Sequence, residues 1–78
     1  MKSGDRVRVK YLHNISNKNI KPFDIGTIIA FKYAEREGQI YTLIGVEFER
    51  NIKGHSCEYR GKEKHCAWIS KKRLEVIK

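Results

Sequence analysis

The amino-acid sequence predicts an all-β fold, a small barrel of five strands. Three observations carry that prediction. β-Branched and aromatic residues recur in short runs with a two-residue period, turn-forming residues separate the runs, and no apolar spacing of three and four residues lasts long enough for a useful helix. The 78 residues allow one domain, spanning the whole of 1–78. A core this thin supplies only about 3–5 kcal/mol, so a metal, a disulfide or a partner is a plausible staple.

Asp5 to Tyr11 alternates, with Val7, Val9 and Tyr11 on one side and Arg6, Arg8 and Lys10 on the other, which reads as a half-buried first strand with a basic outer face. Leu12 to Asp24 breaks the pattern with three Asn, a Ser and the only Pro, and is expected to be a long loop. Gly26 opens a second strand over Thr27 to Lys32. A charged turn from Ala34 to Gly38 follows, with Gly38 supplying the positive φ. Ile40 to Glu49 is the longest strand signal. Ile44, Val46 and Phe48 are expected to face the core and Leu43, Gly45 and Glu47 the other side, with Gly45 marking a bend or a close backbone approach.

Gly54 to Trp68 is a long loop between the third and fourth strands. It carries both cysteines, two of the three histidines and, at its end, the only tryptophan. Segments this long between strands tend to carry function. Cys66 to Ile69 reads as the fourth strand. Ser70 is positioned to cap a single 3₁₀-like turn over Lys71, Lys72 and Arg73, and Leu74 to Ile77 forms the fifth strand, with Leu74 and either Val76 or Ile77 inward.

Five short strands with a one-turn helix between the last two resemble the SH3-like small barrel. The likeness is most specific at Ala67-Trp68-Ile69-Ser70-Lys71-Lys72-Arg73-Leu74-Glu75-Val76-Ile77, which resembles the strand, 3₁₀ turn and strand that close SH3 domains. Gly4-Asp5-Arg6-Val7-Arg8-Val9 and Gly26-Thr27-Ile28-Ile29 resemble the first two strands of SH3-like, KOW and CAP-Gly modules. Ile44-Gly45-Val46-Glu47-Phe48-Glu49 is also similar to the CAP-Gly plan, although Gly61-Lys62-Glu63 stands where that family has Gly-Lys-Asn-Asp-Gly. Gly45-Val46-Glu47-Phe48, Gly54-His55, Gly61-Lys62 and His65-Cys66-Ala67-Trp68 together look like small SH3-like proteins of phages and prophages. That resemblance implies a virus or mobile element as source and the cytoplasm of a bacterial host as location. Short basic proteins there bind nucleic acid or inhibit a host enzyme.

Charge points the same way. The chain carries a net +8, and +6 of it falls in residues 50–78, which hold nine cations and three anions. Arg50, Lys53, Arg60, Lys62, Lys64, Lys71, Lys72 and Arg73, interleaved with Tyr59 and Trp68, supply cations for phosphates and rings for unpaired bases. Nucleic acid, or another polyanion, is the partner this pattern favours. The alternative is an interaction module that docks on an acidic surface of a host enzyme, for example a defence enzyme, through the same cations. No apolar stretch reaches membrane-spanning length and no apolar signal-peptide region opens the chain. The sequence does not choose between monomer and dimer.

His55, Cys57, His65 and Cys66 are residues of the types that bind zinc. Their spacing lacks the two-residue knuckles of zinc ribbons, and alternation sets His65 and Cys66 on opposite faces, so the reading without any cofactor stands beside a zinc site. A Cys57–Cys66 disulfide is the third possibility, with free thiols the default in a reducing compartment. Cys57 beside His55 or His65 is also the one candidate nucleophile and base. No phosphate-cradling loop, carboxylate pair or Ser/His/Asp set is suggested by spacing, so the chain reads as non-enzymatic.

Overall fold

A computed structural model describes residues 1–11 and 17–77. The fold is all-β. Its elements are β1 (Arg6–Val9), β2 (Ile25–Arg36), β3 (Gln39–Phe48), β4 (Cys66–Ser70), a 3₁₀ turn (Lys71–Arg73) and β5 (Leu74–Val76). The five strands form one sheet in the order β4-β3-β2-β1-β5, with every neighbouring pair antiparallel. Among the described residues no helix is long and apolar enough to cross a membrane.

Alternation in β1 buries Val7 and Val9 and leaves Arg6 and Arg8 outside. Arg8 lies opposite Glu75 across the β1–β5 pair and forms an ion pair with it. The first loop was expected over Leu12 to Asp24. Its residues 12–16 lie outside the described residues, and the remainder, from Asn17 to Asp24, contains no strand. Ile20 from this loop is buried in the core.

β2 is longer than the sequence suggests, and the turn after it is shorter. The expected turn over Ala34 to Gly38 contracts to Glu37 and Gly38, with Arg36 paired to Gln39. Both turn residues have positive φ, 52° and 78°, the conformation whose twist matches that of flanking strands in a two-residue hairpin. Glu37 adopts it without being Asn, Asp or Gly, which is why the short connection was not legible. A register shift between Ile28 and Ala30 inserts Ile29 as a bulge, so Ile28 opposes Val46 while Ala30 opposes Gly45.

Ile44, Val46 and Phe48 face the core, as alternation predicts, together with Val7, Val9, Ile28, Ala67, Ile69 and Leu74. Ile52, from the connection between β3 and β4, plugs the same core with no exposed surface. In β4 it is Ala67 and Ile69 that face this core. Trp68 and Cys66 point to the opposite side of the sheet, where Trp68 opposes Gly45 and Cys66 opposes Glu47. Two end effects differ from the sequence reading. Ser70 makes no side-chain cap because it is still extended, at the end of β4, and the turn instead closes by the Leu74 N–H donating to the Lys71 carbonyl. β5 ends at Val76 rather than at Ile77, with Leu74 inward as expected, Val76 exposed and Ile77 half-buried.

Candidate functional site

The connection between β3 and β4 is organised in two layers. Its first limb runs beside the residues that lead into β4: the Ile52 and Gly54 N–H groups both donate to the Lys64 carbonyl, and His55 and Cys66 exchange backbone hydrogen bonds of 3.0 and 2.9 Å. The second layer is a tight turn over Ser56–Gly61. Gly61 N–H donates to the Ser56 carbonyl, Tyr59 N–H to Ser56 Oγ, and Cys57 N–H to His55 Nδ1. Cys57, Glu58 and Tyr59 all take left-handed φ, 50°, 60° and 69°. Three such residues in succession are costly for L-amino acids, about 1–2 kcal/mol each, and something must hold them.

These hydrogen bonds and the burial of the Cys57 side chain hold them. That side chain turns inward onto the outer face of the sheet, fully buried, beside the equally buried Cys66. Its seat exists because residue 45 has no side chain: a Cβ on Gly45 would stand 3.2 Å from Cys57 Sγ and 3.0 Å from Trp68 Cζ3. Gly61 serves the same purpose, since a Cβ there would come within 2.4 Å of Ile29 Cδ1 and 2.6 Å of Cys66 Sγ. Both thiols are free, and Cys66 donates to the Lys62 carbonyl at 3.3 Å. Burial, then the neighbouring Cys66, pushes Cys57 up to about 12; burial, then Glu47, raises Cys66. Both stay protonated near neutral pH and are inert as nucleophiles there.

The zinc set read from the sequence does not assemble. Among the described residues no three or more His, Cys, Asp or Glu gather to hold a metal ion. His65 Nδ1 lies 3.0 Å from the Phe48 carbonyl, and His55 Nδ1 already accepts the Cys57 N–H. His65 lies in the turn before β4 with its ring against the Phe48 carbonyl, whereas the Cys66 side chain is buried at the start of the strand.

The predicted cations divide among several surfaces. Arg50 is a tether: its guanidinium donates to the Asn19 carbonyl and to Asp24, fastening the first loop. Lys72 and Arg73 line one depression with Arg36, Tyr41, Leu43 and Trp68. Lys53 lines a second with Lys18, Asn17, Asn19, His55 and, again, Trp68. Lys71 borders a third, beside Met1, Lys10 and Ile40. Tyr59 is 96% exposed at the crest of the turn, and Arg60, Lys62 and Lys64 are exposed outside the two depressions that share Trp68.

Sequence reasoning did not select Lys18, Lys32 or Arg36. Lys32 Nζ stands 4.4 Å from the Trp68 ring centroid and 3.9 Å from Glu58. The signal that could have found it is cross-strand: a glycine opposite a tryptophan leaves room for the indole to lie across the sheet toward β2. Comparison of the chain with protein-family models, curated proteins and solved structures finds no match. The residues themselves therefore carry the functional reading.

Proposed function

We propose that the protein is a non-enzymatic SH3-like binding module, of phage or mobile-element type, that binds nucleic acid through the basic surface around Trp68. The observation that carries this reading is the sharing of Trp68 by two depressions, one rimmed by Lys18 and Lys53, the other by Arg36, Lys72 and Arg73. Cations in both depressions beside one tryptophan suit a polyanion with rings of its own. The pairing of β1 with both β2 and β5, and the 3₁₀ turn between β4 and β5, support the barrel plan. The binding surface moves accordingly from the loop as a whole to the Trp68 surface, with Lys53 contributed from just before the loop.

Each phosphate neutralised releases counterions, so affinity should fall linearly in log–log form as salt rises. The test is oligonucleotide binding between 50 and 200 mM salt, with Lys53→Glu plus Lys72→Glu as the variant. Loss of at least about tenfold, whatever the oligonucleotide sequence, is the expected result. Unchanged affinity and a flat salt response remove the proposal. Docking on an acidic host enzyme is a second reading, favoured by one observation: Tyr33 and Ile40 are 76% and 72% exposed on the far half of the β2–β3 hairpin. It requires a complex from host extract that survives nuclease.

A further inference from the structure

Within the nucleic-acid reading above, on which this step rests, the geometry points to a narrower ligand: we infer that Trp68 stacks an unpaired base, so that the protein prefers single strands to duplex. The ring that would stack is recessed. Trp68 is only half-exposed and belongs to the walls of both depressions, whereas a base inside a duplex has its faces covered by its neighbours and offers only its edges. A recessed indole is reached by a base that has left the stack.

The indole is also already positioned. It opposes Gly45 across the β3–β4 pair, and the space a side chain would fill at Gly45 lies 3.0 Å from its Cζ3. Little ordering is left to do on binding. Tyr59, the rival ring, is 96% exposed on the left-handed turn and would have to be immobilised first.

Lys32 supplies the third part. Its ammonium lies against the Trp68 ring, and its only ion-pair partner, among the described residues, is Glu58 at 3.9 Å. Both charges are substantially exposed, at 38% and 62%, so the pair is weak and easily exchanged. A cation on a flexible stem can leave the ring to a base and turn to the phosphate beside that base. The strand then runs from the Lys18 and Lys53 side, across Trp68, to Arg36, Lys72 and Arg73, with the backbone neutralised before and after the stacked base.

Trp68 is the only tryptophan, so its emission reports the site directly. The experiment titrates the whole protein with a twelve-nucleotide oligothymidylate and, separately, with a mixed-sequence duplex of the same length at low salt. The expected result is quenching of Trp68 by the single strand and an affinity at least about tenfold above that for the duplex, the size of one base–aromatic stack. Trp68→Leu should lose that margin without changing the salt slope, Trp68→Phe should keep most of it, and Lys32→Gln should make the slope shallower by about 0.7. Should Trp68→Leu fail to fold, wild-type quenching and Trp68→Phe decide alone. Equal affinity for both oligonucleotides with unmoved emission overturns the stacking site and leaves polyanion binding standing. Absence of binding to either overturns both.

Discussion

The two sides of the sheet are built on different principles. On the core side, Val7, Val9, Ile28, Ile44, Val46 and Ile69 are aliphatic, buried and placed by simple alternation. On the outer side, Cys57 and Trp68 are gathered around Gly45 and Cys66 lies against Gly61, under a turn that bends three residues into left-handed conformations. One side tolerates any well-sized apolar residue; the other depends on what is missing at two glycines. Stability belongs to the first side, and the candidate binding surface is braced by the second.

Truncation on the core side should give the largest effect. Ile52→Ala removes a fully buried side chain from between the long connection and the sheet, and should cost about 2–5 kcal/mol in urea unfolding. Gly61→Ala sharpens the contrast. It adds one methyl group where only 2.4 Å separates it from Ile29 Cδ1, and should cost about 1–3 kcal/mol, with loss of the Ser56–Gly61 turn seen as faster amide exchange at Cys57 to Tyr59. A stable Gly61→Ala protein with unchanged exchange would show that the outer side is loosely built.

Titration separates the two sides by chemistry. Cys57 holds its proton up to about pH 12 when folded, while an unfolded thiol ionises near 9. Between these values the unfolded chain binds fewer protons than the native one, so the thiol's contribution is complete below about pH 9 and is lost as pH rises toward 12. Urea midpoints between pH 8 and 11 should fall in wild type and fall less in Cys57→Ala. Arg50→Ala is the mildest probe. Its ion pair with Asp24 is partly exposed, so stability should change by under about 1 kcal/mol, and oligonucleotide affinity should change far less than on Lys53→Glu.

Much of the core side could be read in advance. Period-two spacing placed Val7, Val9, Ile44, Val46 and Phe48, because one face of each strand must be apolar whatever the rest of the chain does. The outer side resisted. Alternation alone cannot say which of two apolar faces of β4 meets the main core; Ala67 and Ile69 do, and Trp68 and Cys66 lie on the other side. The bulge at Ile29 follows from the pairing of Ile28 and Ala30 with Val46 and Gly45 on the next strand, and Glu37 takes a left-handed φ that its residue type does not announce. The charge of the last third was legible, but its division was not. Arg50 was spent on Asp24, while Lys32 was supplied by the second strand.

β1 is the shortest interior member of the sheet, and its outer flank is completed only by β5. Arg8 meets Glu75 across a sequence separation of 67 residues. Closing a span of that length is entropically slow, so refolding should be limited by the arrival of Leu74–Val76 rather than by the hairpin, which can zip locally. Until those residues dock, Val7 and Val9 have one unguarded flank, and a polypeptide halted before Leu74 would expose a strand edge that invites aggregation.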